Sequence, residues 1–188
     1  MTRSKLIIIG GSAGSLQVIL KLFTTIKKDF PVPVVLILHR TPVAEQLLEE
    51  LLNGKTDLMV KEVEEKEMPL PGYLYVCPAD YHVLFEKDGS FTLDYSEKIN
   101  FSRPSIDVAF QSAAEAFGEK LICILLSGAN ADGTDGMICV KKCRGITIVQ
   151  DPNDAEVSYM PLQAVQRAKP DHVLSSIEIK KFIEKLAD

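Results

Sequence analysis

The chain predicts an α/β fold: a doubly wound, mostly parallel sheet with an antiparallel hairpin inserted at its edge. Three observations carry this reading. Short β-branched runs with no polar alternation, such as Leu6–Ile9, Val34–Leu38 and Leu121–Leu126, read as strands buried on both faces. Helical patterns follow these runs, which implies right-handed parallel crossovers. Between residues 73 and 95 the pattern changes to apolar–polar alternation around Lys87-Asp88-Gly89-Ser90, a hairpin turn signal.

The elements follow in order. A strand over 5–9 runs into the small-residue turn 10–14. A helix over 15–28 places Leu16, Ile19, Leu20, Phe23 and Ile26 on one face. Pro31 and Pro33 stop it and launch a strand over 34–38. Pro42 starts a helix over 43–53, with Gly54 just past its end. The charged stretch Lys61–Glu67 reads as a solvated loop. Tyr73–Cys77, His82–Glu86 and Phe91–Tyr95 read as antiparallel strands of the insertion. Ser105 caps a helix over 105–117 that Gly118 ends. A strand over 121–126, a helix over 134–143 and a strand over 146–150 come next. A helix over 161–168, a strand at 172–174 and a helix over 176–186 complete the chain.

At 188 residues this is read as one domain, 1–188, large enough for a proper core. A hydrophobic fraction of 46% and a charged fraction of 25% are those of a globular protein. The net charge of −5 argues against a nucleic-acid partner, which calls for a basic footprint. No apolar stretch is long enough to insert in a membrane, and no signal peptide is evident. A cytoplasmic location is expected, with Cys77, Cys123, Cys139 and Cys143 all reduced and structural.

Three of the apolar runs end in residues that acyl transfer uses. The first leads into Gly10-Gly11-Ser12, the second into His39, and the third into the stretch Ser127–Asp132. Ligands of parallel sheets bind beyond the carboxyl ends of the strands, so a serine, a histidine and an aspartate can converge there. The first turn admits three readings. As a dinucleotide site it lacks G-x-G-x-x-G, and its second strand ends in His39 instead of an acid. As a bland turn it lets helix and strand pack closely. As a nucleophile elbow, Gly10-Gly11-Ser12-Ala13-Gly14 matches G-x-S-x-G and exposes Ser12 at a helix N-terminus. Asp132 lies in Asn130-Ala131-Asp132-Gly133-Thr134-Asp135-Gly136. A calcium loop fails here, because Asp135 holds the required glycine position and Lys141 that of the closing glutamate. A helix cap remains a second role for Asp132, and Asp135 is its rival for the acid role.

These segments together resemble the catalytic domain of the CheB protein-glutamate methylesterases of chemotaxis. The matching stretches are Ile7–Gly14, Leu38-His39, Pro78–His82, Ser102–Asp107, Leu125–Gly128 with Ala131-Asp132-Gly133, and Gln150-Asp151, in the family's order. The resemblance implies Ser12 as nucleophile, His39 as base and Asp132 as its orienting acid. It implies hydrolysis of glutamate γ-methyl esters on chemoreceptors, deamidation of receptor glutamines by the same groups, and no cofactor or metal. Backbone N–H groups near Ala13 and around Ala129 and Asn130 would meet the oxyanion. Arg103 and Met160 are expected at the rim as substrate contacts. Leu38-His39-Arg40 and Gly128-Ala129-Asn130 depart from the family's Gln-His-Met and Gly-Met-Gly. A catalytically weakened binding module of the same fold is the alternative. Members of the family often carry an N-terminal receiver domain, whereas this sequence opens on the catalytic strand, so a stand-alone catalytic domain is expected. Constitutive activity is therefore expected, any control coming from a separate response regulator.

Overall fold

A computed structural model of the chain describes residues 5–39, 45–99 and 101–187. Its centre is β1 (Leu6–Gly11), flanked by β2 (Val34–Leu38) and β7 (Leu121–Leu125). Outside β2 lie β4 (Tyr73–Val76) and then β3 (Met59–Glu62); outside β7 lie β8 (Ile146–Gln150) and β9 (His172–Leu174). The order β3-β4-β2-β1-β7-β8-β9 forms a seven-stranded sheet in which every neighbouring pair is parallel. From β1 the chain fills one side of the sheet, through β2, the edge strand β3 and then β4 between them; from β7 it fills the other, through β8 and β9. Their junction is the topological switch point, the place where such sheets bind ligands.

Strand alternation divides the core into two layers. Ile8, Ile37, Tyr75, Leu125 and Val149 face α3 (Ile106–Phe117), α4 (Thr134–Lys142) and α5 (Tyr159–Ala168). Ile7, Ile9, Leu36, Ile124 and Ile148 face α1 (Leu16–Leu22), α2 (Glu45–Asn53) and α6 (Ser176–Glu184). Both faces are covered, so the strand runs show no polar alternation.

Three sequence expectations change. The strand at Tyr73 is not part of the antiparallel insertion; it pairs parallel with β2 inside the main sheet. Leu74 and Val76 fill one core layer and Tyr75 the other, a two-faced burial that imitates alternation. Part of the stretch expected as a solvated loop is the edge strand β3, whose sequence Met-Val-Lys-Glu carries the charges that protect an exposed edge. Helix α1 stops at Leu22, short of residue 28. Thr24 Oγ1 donates to Lys21 O, a local bond that competes with the helix, while Phe23, Ile26 and Phe30 stay buried in the turns that follow. The start of the helix expected over 43–53 falls outside the described residues.

The hairpin forms as expected from β5 (His82–Phe85) and β6 (Phe91–Asp94), as a separate two-stranded sheet. It packs across α3: Phe85 N donates to Ser112 Oγ at 3.2 Å, and Val83, Phe85 and Phe91 join the α3 layer of the core. Helix α3 is therefore held between sheet and hairpin, with its N-terminus beside the end of β1. A Cβ on Gly10 would stand 2.5 Å from Ile106 Cγ2 in the first turn of that helix. Gly10→Ala is expected to destabilise the fold by about 1–3 kcal/mol, as overpacking does. Urea unfolding checks this as a lowered midpoint at unchanged slope.

Candidate active site

Registry brings the expected residues together. Gly11 aligns with Leu38, and Gly10 with Leu125, so β2, β1 and β7 end at one level. Ser12 and His39 follow directly, and His39 N donates to Gly11 O at 3.2 Å. Asp132 arrives from the loop after β7. His39 Nε2 lies 2.8 Å from Asp132 Oδ2. The carboxylate can only accept here, so Nε2 carries the proton and the Nδ1 lone pair is left to act as a base.

The turn after β1 is knotted to leave one hydroxyl available. Ser15 Oγ donates to Ser12 O at 2.7 Å and is buried. Ser127, also buried, donates from Oγ to Ala13 O at 2.7 Å and accepts from Val157 N at 2.9 Å. Gly14 takes φ +77°, and a Cβ there would meet Ser127 Oγ at 2.7 Å, so glycine is required. Ser12 is only half-buried, with its N bonded to Ser127 O at 2.9 Å. Its Oγ makes no hydrogen bond to a described residue; catalytic contacts of this kind often close only when substrate binds.

Asp132 is the most heavily bonded carboxylate of the site. Oδ2 accepts from Ile106 N at 2.7 Å as well as from His39. Oδ1 accepts from Asp107 N at 2.9 Å, Ser105 Oγ at 3.1 Å and Gly133 N at 3.0 Å. Asp132 thus caps a helix, but that helix is α3 and not the one that follows it in sequence. Burial alone would raise its pKa; the bond from His39 and the N–H groups of Asp107 and Ile106 outweigh this and hold it below the ordinary carboxylate value. Asp135, the rival, is exposed and pairs with Arg167 at 2.8 Å.

Several supporting residues had no role in the sequence reading. His82 is fully buried; its Nδ1 accepts from Ser105 N at 3.0 Å and its Nε2 faces Glu97 O at 3.1 Å. It fixes Ser105, which in turn donates to Asp132. Gln150 holds the end of β7 by accepting from Ser127 N at 3.0 Å. Asp107 is buried beside Asp132 and accepts from Gly136 N at 2.7 Å. Burial pushes its pKa up to about 7 against the pull of the Gly136 N–H, with the Asp132 carboxylate adding to the rise. The sequence signals were the Pro78–His82 and Ser102–Asp107 stretches themselves, whose partners only the fold reveals.

The two residues expected at the rim are placed differently. Met160 is fully buried in α5; its N donates to Gly128 O at 2.9 Å, and its side chain lies under Gly128, where a Cβ would come within 2.5 Å. It shapes the loop from below and does not reach the surface. Arg103 is a clamp. Its guanidinium holds Asp80 at 2.9 Å and the carbonyls of Tyr95 and Ser96 at 3.1 and 2.6 Å, and it stacks 3.9 Å over the Tyr95 ring. Only 10% of its side chain is exposed. Ala13 and Ala129 are exposed at the mouth of the site, and Asn130 is half-buried there. Among the described residues no group of three or more His, Cys, Asp or Glu side chains could hold a metal ion, and no helix is long and apolar enough to cross a membrane.

Comparison with known proteins agrees with this geometry. The family model for CheB methylesterase matches residues 7–183. The chain belongs to the CheB methylesterase family. A putative protein-glutamate methylesterase/protein-glutamine glutaminase of Leptospira interrogans is 40% identical over 96% of this chain and 93% of its own length. The Thermotoga maritima protein-glutamate methylesterase/protein-glutamine glutaminase is 35% identical over 96% of this chain, but over only 54% of its own length. The crystal structure of the Thermotoga maritima CheB methylesterase catalytic domain superposes with a TM-score of 0.90 at 34% identity, covering 98% of each chain. The doubly wound sheet and its hairpin are thus the fold of that domain.

The raised pKa of Asp107 has a stability consequence with a definite sign. The folded protein keeps this proton up to about pH 7, whereas an unfolded chain loses it near the ordinary carboxylate value. Stability from this group is therefore lost as pH rises through that window and is level above it. Asp107→Asn imitates the protonated acid and does not titrate. Thermal melts at pH 5 and pH 8 are expected to show the variant gaining on the wild type at the higher pH; a constant difference would contradict the assignment.

Proposed function

We propose that this protein is a serine esterase that hydrolyses glutamate γ-methyl esters on chemoreceptor proteins, with deamidation of receptor glutamines by the same groups. The observation that carries the reading is the 2.8 Å bond between His39 Nε2 and Asp132 Oδ2, which leaves Nδ1 as a base at the strand end next to Ser12. Ser12 Oγ attacks the ester carbonyl carbon while Nδ1 takes its proton. Asp132, ionised and held by α3, stabilises the imidazolium and fixes its orientation. Collapse of the tetrahedral intermediate expels methanol, which receives the proton from Nδ1. Water then attacks the acyl-serine, Nδ1 again taking the proton, and releases the glutamate carboxylate and free Ser12. A glutamine side chain follows the same course with ammonia as the leaving group.

The oxyanion needs donors placed in advance. The N–H groups of Ala13 and Ala129 at the mouth of the site are assigned this role. Asn130 contributes through its side chain. Its Oδ1 accepts from Asp132 N at 3.1 Å, which orients the amide and leaves Nδ2 3.5 Å from His39 Nδ1 and 3.4 Å from Ser102 Oγ. Both contacts are long, so this N–H₂ has hydrogen to offer a charged oxygen. The protein works on a protein surface, without nucleic acid or membrane insertion, in the cytoplasm.

Two measurements test the reading. A fluorophosphonate probe is expected to label Ser12, and Ser12→Ala to abolish labelling; modification of Ser15 or Ser127 would contradict the assignment. Asp132→Asn is expected to lower turnover of a methylated receptor fragment by about four orders of magnitude. Asp135→Asn is expected to leave turnover close to wild type. Equal, small effects would reduce Asp132 to a cap.

A further inference from the structure

We infer that Phe101 is an anchor for the protein substrate: an exposed apolar knob on a tied turn beside the catalytic centre that docks against side chains flanking the esterified glutamate. The inference rests on the esterase reading above. Phe101 is 98% exposed, the most exposed of the large apolar side chains among the described residues. It also has φ +65°, a conformation that bulky side chains avoid. Two unfavourable choices coincide at one residue, and neither serves the core.

The surroundings show what the ring is held for. Ile99 and Ser102 exchange backbone hydrogen bonds of 3.1 and 2.9 Å, and Phe101 sits at the tip of this bridge. Arg103, which follows Ser102, is tied to Asp80, Tyr95 and Ser96, so the base of the turn is fixed. Ser102 Oγ lies 3.4 Å from Asn130 Nδ2, which lies 3.5 Å from His39 Nδ1. The turn is therefore continuous with the active site, two side chains from its base. Tyr95, 61% exposed and packed against Tyr81 at 5.4 Å, forms an aromatic shoulder on the same segment.

This continuity selects the occupant. Anything whose ester carbonyl reaches Ser12 must lie across the mouth of the site, and a protein there would meet Phe101. An aromatic carries a large apolar area on only two side-chain torsions and so loses little conformational entropy on binding, which suits interface hot spots. The ring contributes to holding the substrate and takes no part in bond breaking.

The test separates docking from chemistry. Methanol release from a glutamyl-methyl-esterified chemoreceptor fragment gives kcat and KM, and fluorophosphonate labelling reports Ser12 without a protein partner. Phe101→Ala is expected to raise KM about tenfold or more, with kcat and labelling rate within about twofold of wild type. Phe101→Leu is expected to retain most of the affinity and Phe101→Gly to lose it, because the apolar surface matters and the backbone angle alone does not. The ring is exposed, so melting temperatures should not fall. An unchanged KM in Phe101→Ala overturns the proposal. So does a parallel fall in labelling rate, or an unchanged KM with loss of a wild-type dimer, which would make a second copy the occupant. If the wild type labels at Ser12 yet releases no methanol from the fragment, the esterase reading fails and the docking role falls with it.

Discussion

The buried carboxylate of Asp132 is the constraint on which the site depends. It accepts from His39, from two backbone N–H groups at the start of α3, from Ser105 Oγ and from Gly133 N. A bare buried charge is costly, and removing a partner from one typically costs about 3–5 kcal/mol. Here the positive end of a helix and a ring N–H meet the charge together. The same bonds that cap α3 therefore keep the acid ionised and the imidazole oriented. Capping the helix and orienting the imidazole are one arrangement.

That arrangement explains features far from the reaction. The hairpin β5–β6 holds α3 from outside, and its buried His82 fixes Ser105 at the helix N-cap. The absence of a side chain at Gly10 lets α3 approach β1. Asp107 shares the helix N-terminus with Asp132, and their environments push the two pKa values apart: Asp132 down, Asp107 up to about 7. One carboxyl stays charged toward His39 while its neighbour keeps a proton, so two buried acids coexist side by side.

The other half of the site is organised by small residues and hydroxyls. Ser127 ties the Ser12 turn to the segment at Val157, and Gln150 ties Ser127 to the end of β8. Met160 supports Gly128 from below. These links fix the two loops that flank the junction of β1 and β7. The loop carrying Phe101 is held separately, by the Arg103 clamp, and remains the exposed margin.

The amino-acid sequence by itself determined the parallel sheet, because strands buried on both faces must be written as continuous apolar runs. It also determined Ser12, His39 and Asp132 as candidates, since each lies just beyond such a run, where α/β sheets place their ligands. The hairpin was legible from its turn residues, and the start of α3 from Ser105. The partner of a polar side chain was not legible, because it is set by which strands are neighbours. Only the order β2-β1-β7 brings His39 and Asp132, 93 positions apart, to 2.8 Å. Only the crossing of α3 over β1 makes Asp132 the cap of a helix that precedes it. Tertiary structure likewise turned Arg103 inward, buried Met160, moved Tyr73–Val76 into the main sheet and left Phe101 in solvent. Residue type records what a side chain can do; its neighbours, distant in sequence, decide whether that capacity is used for packing, for holding charge or for a substrate.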